Sequence, residues 1–376
     1  MENKIEQTPS LVDKLLNGLR DIFAPNLVAL SAAGILQGIV ILLHTTGVIQ
    51  TDTAEDFILT RISDAVFYFL PVLLAHSSAK VFKTNPVLAT AVALFLLHPD
   101  VVASMNFNIP ADFFGIPLIP GSYTNSVIPI ILIVWAQSYI ERFFEKILPP
   151  LISGVFMPVF VLSLTAIVGI VLLGPIGTFL GNTMGIGIAW LTQYANWLVT
   201  TILGAFGLFI VMAGGHYSLF PIVTQTLAQE GFESFMTPGL LPANLALTGA
   251  TVAVVLKTKS VKYRAYGVSA SVTALLGVSQ PALYGVAIPM KKVMIATMIG
   301  GGAGGLYAGL SNFVSYAFVN PGIAAIPAFI APDGSFGNLI NGLIVMVGSF
   351  VISFCIVYFL PYKDLPEEEI NQLTQE

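Results

Sequence analysis

Three stretches of this chain set polar groups into otherwise apolar sequence. In Ala213-Gly214-Gly215-His216-Tyr217-Ser218, paired glycines loosen a helix and a histidine follows at once. Imidazole both donates and accepts hydrogen bonds, which suits a hydroxyl-bearing ligand; a histidine satisfied by a neighbouring helix gives the same pattern. In Gly277-Val278-Ser279-Gln280-Pro281-Ala282-Leu283-Tyr284-Gly285, Pro281 lacks an amide hydrogen and disfavours helix at Gln280. Glycines at both ends permit a sharp bend. The pattern predicts a re-entrant tip presenting Ser279 and Gln280 to a cavity, as transporter binding sites require; the alternative is an ordinary proline kink between spans. The third stretch, Gly121-Ser122-Tyr123-Thr124-Asn125-Ser126, is rich in hydroxyls and amides and precedes an apolar run. It lines a substrate path or forms an external loop.

Other features carry no chemistry. The only cysteine, Cys355, lies between Phe354 and Ile356 and has no cationic neighbour to lower its pKa, so it reads as a packing residue. No His/Cys cluster has metal-ligand spacing, and neither a metal nor a cofactor is expected. The run Gly300-Gly301-Gly302-Ala303-Gly304-Gly305 is not followed by the Lys-Ser/Thr of a phosphate loop and reads as close helix packing. Trp135, Trp190 and Trp197 fit interfacial positions better than stacking on a ligand.

The elements that must position these groups belong to a membrane. The 376 residues are 56% hydrophobic and 9% charged, with a mean hydropathy of +0.86, whereas soluble domains carry about 25% charged residues. An apolar helix needs roughly 20 residues to cross a bilayer, and runs at 24–49, 65–82, 86–105, 126–147, 151–174, 184–229, 238–256, 265–279, 292–331 and 336–361 qualify wholly or nearly so. About ten spans result, helical because lipid leaves no partner for exposed backbone groups. Residues 1–23 are expected to form no signal peptide; they read as a cytoplasmic amphipathic interfacial segment lying on the membrane, with Leu11, Val12, Leu15, Leu16, Leu19, Ile22 and Phe23 on one face. A membrane-embedded domain follows over 24–362, and 363–376 form an acidic tail.

Basic residues cluster at Lys4, Lys14 and Arg20, at Arg142 and Lys146, at Lys257 to Arg264, and at Lys291 and Lys292, and none occurs between Lys146 and Lys257. The positive-inside bias puts these clusters and both termini on the cytoplasmic side. A net charge of −5 argues against a nucleic-acid partner.

Residues Gly277 to Val286 resemble the signature Gly-Ile-Thr-Glu-Pro-Ala-Ile-Tyr-Gly-Val of the membrane domains of bacterial phosphotransferase-system sugar permeases. The nearest pattern is the β-glucoside, sucrose and trehalose branch of the glucose superfamily. Further segments agree in order: Phe69-Leu70-Pro71, Ala79-Lys80, Asn85-Pro86, Leu97-His98-Pro99, Ser126 to Ile131, Gly174-Pro175-Ile176-Gly177, and the Lys291-Lys292 pair. Gly214-Gly215-His216-Tyr217 is similar to the family's Gly-Val-His-Trp. The likeness runs from about residue 11 to residue 362.

The resemblance implies an all-α polytopic protein of the bacterial plasma membrane, with about ten helices and two re-entrant hairpins. It implies a homodimer, with an N-terminal part as dimer scaffold and a C-terminal part that carries sugar by an elevator movement. It also implies that His216 and Gln280 bind sugar hydroxyls, with Ser279 beside them and Lys80, Asn85 and Lys291 as lesser contacts. No phosphoryl-donor residue is present, so phosphorylation is expected from separate IIB and IIA phosphocarrier proteins. Where the family has glutamate this chain has Gln280, which holds no titrating proton; a facilitator or a sugar sensor is the alternative that this substitution suggests.

The orientation is checked with a Lys259→Cys variant in a Cys355→Ser background. A membrane-impermeant thiol reagent added to intact cells should leave position 259 unlabelled, and labelling only after lysis is the expected result.

Overall fold

The computed structural model describes residues 11–50, 52–106, 112–119, 121, 123–124, 127–212, 215–361 and 364–374. They are mostly helical, and the chain is a polytopic membrane protein. Among the described residues, seven helices are long and apolar enough to cross a membrane, or eight if the pair Pro86–Leu96 and Pro99–Met105, bent by 52°, counts as one span. Three apolar runs depart from simple spans. The helix Ile128–Ile147 carries Glu141, Arg142, Glu145 and Lys146 in its last two turns. Val261–Leu275 has 15 residues, about 22 Å at 1.5 Å per residue, too short for a core of about 30 Å. The run 292–331 is one helix, Lys291–Leu310, followed by irregular chain and the 3-10 segment Ile323–Phe329.

Two compact units share the chain and interleave along it. The first comprises residues 1–29, 65–186 and 214–228. In it the amphipathic helix Leu11–Phe23 packs on Leu70–Phe82 and on the 3-10 turn Gly215–Leu219. Ile22 and Phe23 are buried, and the Asn26 amide donates to Ile22 O and Ser77 Oγ. Part of the apolar face read as lying on the membrane is therefore spent on packing within the protein. A two-residue hairpin, Asp112–Phe113 with Ile116–Pro117, is the one strand pair among the described residues. Leu151, Val155 and Phe179 stand largely exposed, at 94%, 72% and 69%; such apolar side chains suit a lipid or protein neighbour better than water.

The second unit comprises residues 30–64, 187–213 and 229–376. Its axis is the helix Met236–Lys257, 83% buried over its most apolar stretch against 17% for Pro150–Thr183. Around it pack Val261–Leu275, Lys291–Leu310 and Gly337–Phe359. The glycine run beginning at Gly300 packs closely, as expected. A Cβ on Gly300 or Gly304 would strike Ser349 or Ser353, and one on Gly301 or Gly305 would strike backbone at Gly204 or Thr200. Two faces of one helix are thus kept bare for two neighbours, the device by which helices approach closely in membranes.

The first turn of the axial helix would leave amide hydrogens unpaired. Glu233, fully buried, closes it: its carboxylate accepts from Phe235 N at 3.0 Å, Met236 N at 2.8 Å and Thr237 N at 2.7 Å. Its backbone pairs in both directions with Ser315, at 2.8 Å each way. Leaving these buried donors unmatched should make Glu233→Ala destabilising by on the order of 3 kcal/mol. Glu233→Gln, which retains one acceptor, should fall between that variant and the wild type in thermal unfolding in detergent.

Candidate functional site

Helix Val261–Leu275 ends at Gly277, whose φ of +101° is a left-handed conformation that only glycine adopts without strain. Ser279 follows, buried, then Gln280, exposed. Gln280–Ala282 is a single α-turn that passes into a π-turn at Leu283–Ala287. Such a break frees backbone carbonyls, and two tyrosines answer them. Tyr266 donates to Pro281 O at 2.9 Å and Tyr263 to Gly285 O at 2.8 Å, their rings stacked 6.3 Å apart. Gly285 of the signature has a steric purpose as well, because a Cβ there would run into the Tyr266 ring.

A second break meets the first within the same unit. Val319-Asn320-Pro321-Gly322 is a tight turn closed by Gly322 N donating to Asn320 O at 2.8 Å. A Cβ on Gly322 would lie 2.5 Å from Gly277 N and 2.8 Å from Leu275 O, so the two backbones touch. Asn244, 3% exposed in the middle of the axial helix, joins them. Its amide donates to Ala274 O at 3.0 Å and to Pro321 O at 2.6 Å. Sequence reasoning passed over Asn244 and this second turn. The signals were a lone amide in the apolar helix and an amide-proline-glycine triplet that repeats the logic of Gln280-Pro281.

His216 belongs to the other unit. It sits half-buried on the 3-10 turn Gly215–Leu219, with Ala213 and Gly214 outside the described residues. Its ring lies 4.1 Å from Tyr217 and 5.8 Å, edge-on, from Phe220, and Phe220 meets Phe23 edge-on at 5.5 Å. Ser218 Oγ donates to Gly215 O at 2.6 Å. The imidazole is therefore held in an aromatic frame.

Lys80 is exposed in the last turn of Leu70–Phe82, where a cation also suits the helix dipole. Asn85 caps the next helix, its side-chain oxygen accepting from Val87 N and Leu88 N at 2.9 and 3.2 Å. The preceding loop is fastened by the buried Glu141, whose carboxylate accepts from Thr84 Oγ1 and from Asn85 N, and by the Gln137 amide donating to Thr84 Oγ1 and Asn85 O. Lys291 opens its own helix and, with Lys292, Asp364 and Leu365, lines a cavity of about 770 Å³ whose walls do not include Ser279 or Gln280. In the third polar stretch Ser122, Asn125 and Ser126 lie outside the described residues. Tyr123 there is buried against Gly174, and burial pushes its phenol up to about 12. Among the described residues no group of three or more His, Cys, Asp or Glu could hold a metal ion.

The model of the family described as "Phosphotransferase system, EIIC" matches residues 20–301. The chain belongs to the phosphotransferase-system EIIC family. Among its relatives is the β-glucoside-specific EIIBCA component of Bacillus subtilis, 33% identical over 368 residues, which are 97% of this chain and 59% of that protein. The arbutin-, cellobiose- and salicin-specific EIIBC component of Escherichia coli is 33% identical over 359 residues, 94% of this chain and 74% of that protein. The sucrose-specific EIIBC component of Bacillus subtilis is 29% identical over 355 residues. The chain thus spans about three-fifths of the first of these relatives. The EIIC match covers both His216 and the break at Gln280.

The π-turn generates a prediction. Tyr266→Phe, which removes the hydroxyl that holds Pro281 O, should lower stability by about 1 kcal/mol. Gly285→Leu, which displaces the whole ring, should lower it further, as read from the midpoint of thermal unfolding in detergent.

Proposed function

We propose that this EIIC chain is the sugar-translocating membrane subunit of a phosphotransferase-system permease of the β-glucoside and sucrose branch. The observation that carries this reading is the signature segment itself. It forms a chain break whose backbone is satisfied from within the protein, leaving Gln280 exposed and without a hydrogen bond among the described residues. Polar groups and broken helices at membrane depth are costly unless they serve a ligand. Gln280 offers one acceptor oxygen and two donor hydrogens to a sugar hydroxyl, with Ser279 beside it in the chain. His216 is a second proposed sugar contact, and Lys80, Asn85 and Lys291 are lesser ones.

The resemblance supports two re-entrant hairpins among about ten helices, a homodimer, cytoplasmic termini and an elevator-type movement, and these belong to the proposal. The phosphoryl group comes from IIB and IIA phosphocarrier domains, as the names of the fused relatives suggest. On transfer to a sugar hydroxyl the oxygen–phosphorus bond forms, the donor's phosphorus bond breaks and the hydroxyl proton must leave. Gln280 cannot take that proton. Of the proposed contacts, His216 is the one whose ring nitrogen can accept a proton.

Uptake into vesicles tests the reading. With phosphocarrier proteins present, sugar should accumulate as its phosphate; equilibration of unmodified sugar would instead indicate a facilitator. His216→Ala should lower sugar affinity about tenfold or more, as expected for losing a strong polar contact and its aromatic packing together. Gln280→Glu should change ligand preference across a panel of glucosides and disaccharides and add a pH dependence that the wild-type residue cannot confer.

A further inference from the structure

From the second chain break we infer that Asn320 is a further sugar-binding residue, one that helps set ligand preference beside Gln280. The inference rests on the proposed function, since it extends the same site. Its basis is a contrast among amide side chains in one unit. Asn338 accepts from Val314 N and donates to Val314 O and Phe329 O. Asn341 accepts from Tyr307 and donates to Ser311 O. Asn244 spends both of its amide hydrogens on Ala274 O and Pro321 O. Each of these side chains closes the backbone around an irregular segment.

Gln280 and Asn320 do not. Both are exposed, and among the described residues neither side chain makes a hydrogen bond. Each stands just before a proline at the point where its segment turns. The two turns touch: a Cβ on Gly277 would lie 3.1 Å from Asn320 Cβ, and Gly322 rests on Leu275 to Gly277. The neighbours of Asn320 are apolar. Val319 is buried, and Pro321 and Ile323 flank the turn.

An exposed carboxamide with no partner inside the protein keeps its acceptor and both donors for a ligand's hydroxyls. Two carboxamides on adjoining turns together offer two acceptors and four donors. That complement fits neighbouring hydroxyls on a sugar ring, whose oxygens both donate and accept. Both groups are neutral, so their contribution does not titrate. The contact of Gly322 with Gly277, together with the Asn244 bridge, fixes the spacing of the two turns. Preference among sugars would follow from which hydroxyls that spacing can reach.

The test is binding to the purified full chain in detergent, by calorimetry, with arbutin, salicin, cellobiose and sucrose as probes. Asn320→Ala should weaken the best of these about two- to tenfold, the range for one neutral hydrogen bond, with wild-type thermal stability. Asn320→Asp keeps the shape and loses both donors, so it should change the order of preference, which a purely structural role would leave alone. Should Asn320→Ala fail to fold, Asn320→Gln decides the case, because it keeps a carboxamide displaced by one methylene and should bind more weakly. If the Asn320 variants that fold bind all four sugars as the wild type does while Gln280→Ala and His216→Ala lose affinity, Asn320 is not a ligand and the wider reading stands. If the wild type binds none of the four, the proposed function fails for these sugars and the role of Asn320 falls with it.

Discussion

A backbone carbonyl within a bilayer has no water to turn to, and the Asn244 carboxamide answers that constraint for two broken segments at once. One hydrogen goes to Ala274 O at the end of Val261–Leu275, the other to Pro321 O in the turn that follows Lys291–Leu310. A helix break can present functional groups only if its own polar atoms are satisfied from inside the protein. Asn244 can serve both because the helix that carries it is the most buried of the candidate spans, and that helix is anchored where Glu233 accepts three of its amide hydrogens. Burial of the axis, closure of its first turn and fixation of the two breaks form a single chain of dependence.

The same economy explains the residues of the signature. Pro281 interrupts the helix, Tyr263 and Tyr266 take up the carbonyls, and Gly285 makes room for Tyr266. Gly277 supplies the left-handed turn and lets Asn320 and Gly322 come close. With the backbone provided for, the Gln280 carboxamide stands exposed, and among the described residues it makes no hydrogen bond. Elsewhere, a resemblance in short segments becomes a packing statement: Gly174 accommodates Tyr123, and Gly177 lies against the backbone of Pro129.

Much of this was legible in the sequence, for reasons that can be named. Composition revealed the membrane, because 9% charge on 376 residues cannot clothe a soluble surface. The glycine run at 300–305 announced close packing, and Gly277-Val278-Ser279-Gln280-Pro281 announced a break. Spans were less legible, because hydropathy does not separate a crossing helix from buried irregular chain. The second half of the apolar run 292–331 is no span, for Phe313, Phe318 and Phe329 pack around 3-10 and extended backbone. Asn85 illustrates a different limit. The resemblance offers it as a lesser sugar contact, and the contacts to Val87 N and Leu88 N show that its side chain also caps a helix.

Replacement of the family's glutamate by Gln280 gains a physical setting from these contacts. A carboxylate on an exposed turn brings acceptors only, whereas a carboxamide brings donors too. In the proposed site, beside Asn320, that difference would decide what the pair can recognise. Two carboxamides can satisfy hydroxyls in either sense without any counter-charge, and no basic residue lies between Arg264 and Lys291 in the sequence around the break. What is given up is strength, since a hydrogen bond to a charged group contributes about twice as much as a neutral one. In a carrier this is no simple loss, because a ligand held too firmly at the break would resist release on the far side. An amide in this place is therefore consistent with transport, provided the proton of the reacting hydroxyl leaves by another group.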